Sequence, residues 1–188
     1  MTKDQEKEII AGILAGNTES FCLLVDRYKD AAFTLSVRLV GNRDDAADIC
    51  QDSFVKAFHS LKQFRGDAGF ATWLYRIVYN ASISHLRKNK MRALPVGEGR
   101  MPEIPDYDAD KAWEEEETEL KKTLVRQCLD ELPELDRSLL TLFYLMEHSV
   151  AEIASITDLS ESNVKVRLHR ARTRLYGQVT SRLRVAII

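Results

Sequence analysis

Lys165, Arg167, His169, Arg170, Arg172 and Arg174 crowd one short stretch, and no acid occurs from Ser162 to the C-terminus. Cations at this density neutralise phosphates, and side chains of this length reach base edges in a major groove. Such chemistry needs a rigid element that turns these groups outward. Val164, Leu168 and Leu175 recur at helical spacing and supply its buried stripe. Ser160 is placed to cap that helix. Upstream, Ser149 and Glu152 have capping-box spacing, which predicts a short helix carrying Val150, Ile153 and Ala154 inward. Thr157, Asp158 and Ser160 supply the break between them. A short helix bracing a longer basic one is the arrangement that seats a recognition helix in duplex DNA. The plainer alternative is a solvated basic face on an ordinary helical hairpin.

A second group combines aromatic rings with bases: Phe64, Phe70, Trp73, Tyr75 and Tyr79 beside Arg65, Arg76, Arg87 and Lys88. Rings stack on unpaired bases while cations follow the phosphates, which suits single-stranded DNA. The small residues of Gly66-Asp67-Ala68-Gly69 can close around an extruded base. Phe70, Trp73 and Tyr79 lie on or near an apolar stripe and are expected in the core, whereas Tyr75 and Asn80 are expected outside. A third group is acidic. Asp44 and Asp45 suit the first turn of a helix. Asp48 and Asp52, one turn apart with Gln51 beside them, form either a solvated face or a protein-docking surface.

Other chemistry is not indicated. There is no phosphate-cradling glycine loop, no H-E-x-x-H and no nucleophile–base pair, and His59, His85, His148 and His169 are scattered. The chain is expected to be no enzyme and to need no metal or cofactor. Cys22, Cys50 and Cys128 sit in helical apolar patterns and are expected as small core residues of a cytoplasmic protein. The N-terminus has no secretory pattern, and no apolar stretch is long enough for membrane insertion.

The elements that must position these groups all have a period near 3.6, so the fold class expected is all-α. Helices are predicted over about 4–15, 17–40, 43–63 and 69–90. Phe21, Leu24, Tyr28, Leu35 and Leu39 form the core stripe of the second. Ala47, Cys50, Phe54, Phe58 and Leu61 form that of the third. Charge then divides the chain. From Ala68 to Gly97 there are five bases and no acid, and from Ser162 onward seven bases and no acid. Between them, Pro95 to Glu117 holds nine acids against Arg100 and Lys111, a local charge of −7, although the whole chain carries only −2. Pro95, Gly97, Gly99, Pro102 and Pro105 exclude a persistent helix there. Two small helical domains, 1–94 and 112–188, are therefore expected on an acidic Pro/Gly-containing linker, 95–111, with a helix-turn-helix in the second.

The run GNRDDAADICQDSFVKAFHSLKQFRGDAGFATWLYRIVYNASISHLRK closely resembles region 2 of the extracytoplasmic-function (group IV) sigma factors of bacterial RNA polymerase. LPELDRSLLTLFYLMEHSVAEIASITDLSESNVKVRLHRARTRL resembles their region 4. The resemblance covers nearly the whole chain in the right order. It implies that Asp45, Asp48, Ile49, Gln51 and Asp52 dock on the clamp coiled coil of the polymerase largest subunit, with region 4 near the flap. It implies that Phe64, Arg65, Gly66, Asp67, Ala68 and Gly69, with Tyr75, Arg76, Asn80, Arg87 and Lys88, read and melt the −10 element. Lys165, Val166, His169 and Arg170 would read the −35 element, and Ser162, Arg167 and Arg172 would touch phosphates. Val166 offers a base only an apolar contact. The implied partners are core RNA polymerase, promoter DNA and an anti-sigma factor, which could hold the chain at the inner membrane. The linker would be a spacer or a nucleic-acid mimic in a polymerase channel. A dimeric helix-turn-helix regulator would need neither the acidic helix nor the −10-type loop, and an RNA-binding module would not explain the paired domains.

Overall fold

A computed structural model describes residues 2–92 and 114–186, which fold into helices with no strand among them. Thr2 opens α1 (Lys3–Leu14) with a capping box: its hydroxyl accepts from the Gln5 N–H at 3.3 Å, and its own N–H donates to Gln5 Oε1 at 2.8 Å. A 3₁₀ turn, Thr18–Ser20, leads into α2 (Phe21–Val40), so the long helix starts a turn later than expected. Gly41 ends it in the left-handed region at φ 74°, where a Cβ would be strained. Asn42 then starts α3 (Arg43–Ser60), its Oδ1 accepting from the N–H groups of Asp44 and Asp45 at 2.8 and 3.1 Å. A second 3₁₀ turn, Leu61–Gln63, and a loop lead to α4 (Phe70–Arg92).

Helices α2, α3 and α4 pack against one another around Leu24, Leu35, Leu39, Leu61, Phe70, Leu74 and Val78. Each such side chain contributes roughly 1.5–3 kcal/mol by leaving water. Inside this core the hydroxyls of Ser36 and Ser82 pair at 3.3 Å, which satisfies both across α2 and α4. The buried stripe of α3 is Ala46, Ile49, Cys50, Ser53, Phe54 and Ala57, so the expected core role of Ala47 is corrected: it is exposed. Cys50 and Cys128 are buried as expected, but Cys22 is exposed.

The second unit begins with α5 (Glu114–Asp130) and α6 (Glu134–Leu140). The expected linker, 95–111, lies outside the described residues. Helix α6 widens into one π turn, Thr141–Leu145, where the Thr141 hydroxyl donates back to the Arg137 carbonyl at 3.0 Å. Ser149 and Glu152 form the expected capping box of α7 (Val150–Thr157), and Asp158, at φ 62°, ends that helix. Ser160 Oγ accepts the Asn163 N–H at 3.3 Å and caps α8 (Glu161–Ala186), whose Val164, Leu168 and Ala171 are buried.

The two units are packed together, α7 against α4 and α6 against α2. Arg137 on α6 donates to the Leu39 carbonyl at the end of α2 at 3.1 Å and to the Asp130 carbonyl at 3.0 Å. Arg38 pairs with Asp130 at 3.5 Å. On the α4 side, Arg76 meets Asp158 at 3.1 Å, Thr72 donates to Glu152 at 3.5 Å, and the Tyr75 ring lies edge-on to His148 with centroids 5.4 Å apart.

Candidate nucleic-acid interface

The helix-turn-helix is built from its caps outward. With α7 fixed by Ser149 and α8 by Ser160, the buried stripe of α8 turns Ser162, Lys165, Val166, His169 and Arg170 to solvent. Val166 is 48% exposed in the middle of this face, an apolar patch among cations. Lys165 and Arg170 hold no ion pair among the described residues. Arg167, expected at a phosphate, is instead drawn inward: its Nε donates to Asn163 Oδ1 at 3.2 Å and its Nη1 to Asp136 Oδ1 at 3.3 Å. Arg174 reaches the other oxygen of Asp136 at 3.5 Å. Asp136 is only 8% exposed, so one buried carboxylate ties α6 to two turns of α8. Arg172 donates to the Tyr144 hydroxyl at 3.2 Å.

The aromatic-basic surface begins with a clasp. The Phe64 ring packs on Phe70 and Trp73 with centroids 5.8 and 5.3 Å away, closing the loop at its base. Between them, Arg65, Gly66, Asp67 and Gly69 are exposed and Ala68 is half-buried, with Gly66 at φ 76° making the turn. Arg76, Asn80, Arg87 and Lys88 lie on the exposed side of α4. Tyr75 does not. It is 4% exposed, between Tyr28 and His148, and burial pushes its hydroxyl up to about 12. The expectation that it faces solvent is corrected, because a residue from the other unit covers it. Burial lowers the pKa of His148 despite the nearby Glu152 carboxylate at 3.7 Å, and its Nε2 has no hydrogen-bond partner.

The acidic face of α3 is exposed at Asp48, Gln51 and Asp52, and Asp45 lies 3.3 Å from His85 Nε2. Ile49, expected on the docking face, is only 8% exposed and lies on the buried stripe of α3 with Phe54. Beside the acids runs a feature the sequence reading missed: an open apolar groove of about 730 Å³ between α2 and α3, lined by Phe21, Val25, Phe33, Phe54, Val55 and Phe58.

The chain matches the family models for Sigma-70 region 2 over residues 24–92 and for Sigma-70, region 4 over residues 122–175. It is 33% identical over 180 residues to the ECF RNA polymerase sigma factor SigW of Bacillus subtilis, covering 92% of this chain and 96% of that protein. The chain belongs to the extracytoplasmic-function sigma factors of RNA polymerase. It directs that polymerase to promoters, with core polymerase and promoter DNA as its partners. The RNA polymerase sigma-H factor of Pseudomonas aeruginosa is 32% identical, with 92% of each chain covered. Among solved structures, CnrH in complex with the cytosolic domain of CnrY matches at 25% identity and TM-score 0.67, over 92% of this chain and 96% of that one. RpoE in complex with the anti-sigma factor NepR from Bartonella quintana shares the fold at TM-score 0.69 and 20% identity, over 86% of this chain and 98% of that one.

The sigma factor thus presents two basic surfaces, on α4 and α8, and an acidic-apolar one on α2 and α3. Asp136, Arg137, Tyr144 and His148 shape these surfaces without having been singled out for it in the sequence. Asp136 and Arg137 do follow a Leu-Pro turn at the head of α6, where an acid and a base would stand out only if their distant partners were known. No helix among the described residues is long and apolar enough to cross a membrane.

Proposed function

We propose that the acidic face of α3, through Asp45, Asp48, Gln51 and Asp52, docks this sigma factor on core polymerase. The −10 strand is then taken by the loop from Phe64 to Gly69 and by Arg76, Asn80, Arg87 and Lys88. Lys165, Val166, His169 and Arg170 read the −35 element, with Ser162 and Arg172 at its phosphates. Residues 1–94 serve as the polymerase and −10 module, 112–188 as the −35 module, and 95–111 as the linker. The chain acts in the cytoplasm, as a specificity subunit and not as a catalyst. An anti-sigma factor holds it inactive; CnrH was solved with a partner of its own, the cytosolic domain of CnrY.

The observation that carries this reading is the opposition of charge on one chain. An acidic face exposed at Asp48 and Asp52, with an apolar groove beside it, accompanies two cationic faces, one on α8 and one on α4 with its preceding loop. A dimeric duplex-binding regulator has use for only one of the three. In the closed packing Arg76 is paired and Tyr75 covered, so strand binding on α4 requires α7 to leave it. Docking on core supplies that separation, which couples polymerase binding to promoter opening.

The test is co-elution with bacterial core RNA polymerase on a sizing column. The wild-type chain is expected to co-elute, and Asp48→Lys/Asp52→Lys to elute free while retaining its affinity for duplex DNA. Wild-type protein that ignores core and binds duplex DNA tightly would return the reading to a conventional regulator.

A further inference from the structure

Nothing in the residues 64–70 caps the start of α4. Gly69 accepts the Trp73 N–H at 3.2 Å through its carbonyl but has no side chain to satisfy the first N–H groups. The cap comes from another helix. Glu6, half-buried on α1, accepts the Phe70 N–H on Oε1 at 3.4 Å, while its Oε2 accepts the Tyr28 hydroxyl from α2. Burial and the Glu6 bond together raise the Tyr28 pKa, so the phenol stays a donor at any physiological pH. The Tyr28 ring packs on Phe70 with centroids 5.6 Å apart. Phe70 in turn holds Phe64, the other end of the loop. A carboxylate at a helix N-terminus is favoured by the helix dipole as well as by the hydrogen bond.

We infer that Glu6 is a positioning residue for −10 strand recognition: as a long-range cap on α4, braced by Tyr28, it sets the shape of the loop from Phe64 to Gly69. It does not touch DNA. Its role rests on the reading of that loop as the −10 site. In this arrangement α1 and α2 fix the base of the loop through a single carboxylate, and the loop's exposed residues are left to meet the strand. Losing the carboxylate frees the Phe70 amide and lets the aromatic clasp shift, with no change in the acidic docking face or in α8.

The experiment compares the full-length wild type, Glu6→Ala, Glu6→Gln and Tyr28→Phe. Each is assembled on core polymerase and titrated with a fluorescein-labelled random-sequence single strand and with the matching duplex, scored as the increment over core alone. Amide exchange at Phe70 is followed in the same proteins. Glu6→Ala should weaken single-strand binding roughly fivefold and speed Phe70 exchange by a similar factor, the scale of losing a helix cap. Duplex binding and co-elution with core should hold. Glu6→Gln keeps an acceptor and should restore most of both signals, and Tyr28→Phe, which keeps the ring packing, should fall between. Unchanged Phe70 exchange and single-strand binding in Glu6→Ala would overturn the inference. So would an equal loss of duplex binding, which would mark general destabilisation. Should Glu6→Ala fail to fold, Tyr28→Phe alone decides, with an unchanged single-strand increment overturning it. A wild-type chain with no single-strand increment would refute the −10 reading itself, and the inference with it.

Discussion

Arg167 and Arg170 are three residues apart on α8, yet the structure assigns them different work, and salt dependence separates them. Arg170 is exposed with no ion pair among the described residues, whereas Arg167 divides its guanidinium between Asn163 and the buried Asp136. Each phosphate neutralised by a cation adds about 0.9 to the slope of log affinity against log salt. Losing one contact therefore reduces the affinity lost between about 50 and 200 mM salt by about 3.5-fold. Arg170→Gln should show that change on a short mixed-sequence duplex titrated by fluorescence anisotropy. Arg167→Gln should leave the slope within about 0.2 of wild type. Its effect should fall on stability instead, because Asp136 keeps only Arg174. A buried carboxylate losing one of two donors costs roughly 1–3 kcal/mol, and the partial exposure of Arg167 places this case near the lower end, about 1 kcal/mol in denaturant unfolding. A slope lowered by about 0.9 in Arg167→Gln would refute the argument, since the side chain would then have been on a phosphate and not on Asp136.

The packing of α7 on α4 should weaken with acid. The buried His148 has a lowered pKa in the closed form, so that form binds fewer protons than the open one. Its stabilising contribution is complete above the ordinary histidine value of about 6.5 and is lost as pH falls below it. Energy transfer between labels on α4 and α7 should report more opening at lower pH, and His148→Gln should abolish that dependence; a pH-independent wild type would contradict it. Two of the charged links between the units should differ in weight. Arg76–Asp158 is 44% and 80% exposed, and Asp158→Ala should move the same signal by under about 1 kcal/mol. Arg137, 11% exposed and bonded to two carbonyls, should cost roughly 1–3 kcal/mol when changed to Met, and equal effects would refute this ranking.

What the sequence made legible was local. The capping box at Ser149 and the cap at Ser160 depend on neighbours within a few residues, and each is found as expected. The expected stripe of α3 holds at Cys50, Phe54 and Leu61 and fails at Ala47, because Ala46 and Ala47 are apolar neighbours 100° apart on a helix. The sequence alone does not say which of the two alanines is buried. The remaining errors are long-range. Tyr75 is hidden by His148, and Arg167 is held by Asp136 at a separation of 31 residues. The groove between α2 and α3 exists only once both helices are placed.

These long-range contacts bear on which cationic surfaces a chain of net charge −2 leaves open. Acids of the second unit are engaged from within: Asp136 of α6 pairs with Arg167 and Arg174 of α8, while Glu152 and Asp158 bond Thr72 and Arg76 of α4. The closed arrangement therefore spends part of the cationic surface of α4 on internal pairs, while the recognition face of α8 stays open. The exposed Arg76–Asp158 pair adds little to closure, so the closed state is held by the seat around His148 and Tyr75 and by the part-buried contacts of Thr72, Arg38 and Arg137. A partner must favour the open form by about 5.5 kcal/mol to carry a 1:99 equilibrium to 99:1. The face proposed to dock on core, which combines acids with an apolar groove between α2 and α3, is suited to supply that difference. On that proposal, core binding opens the chain from α2 and α3 and leaves the cationic side of α4 to the strand.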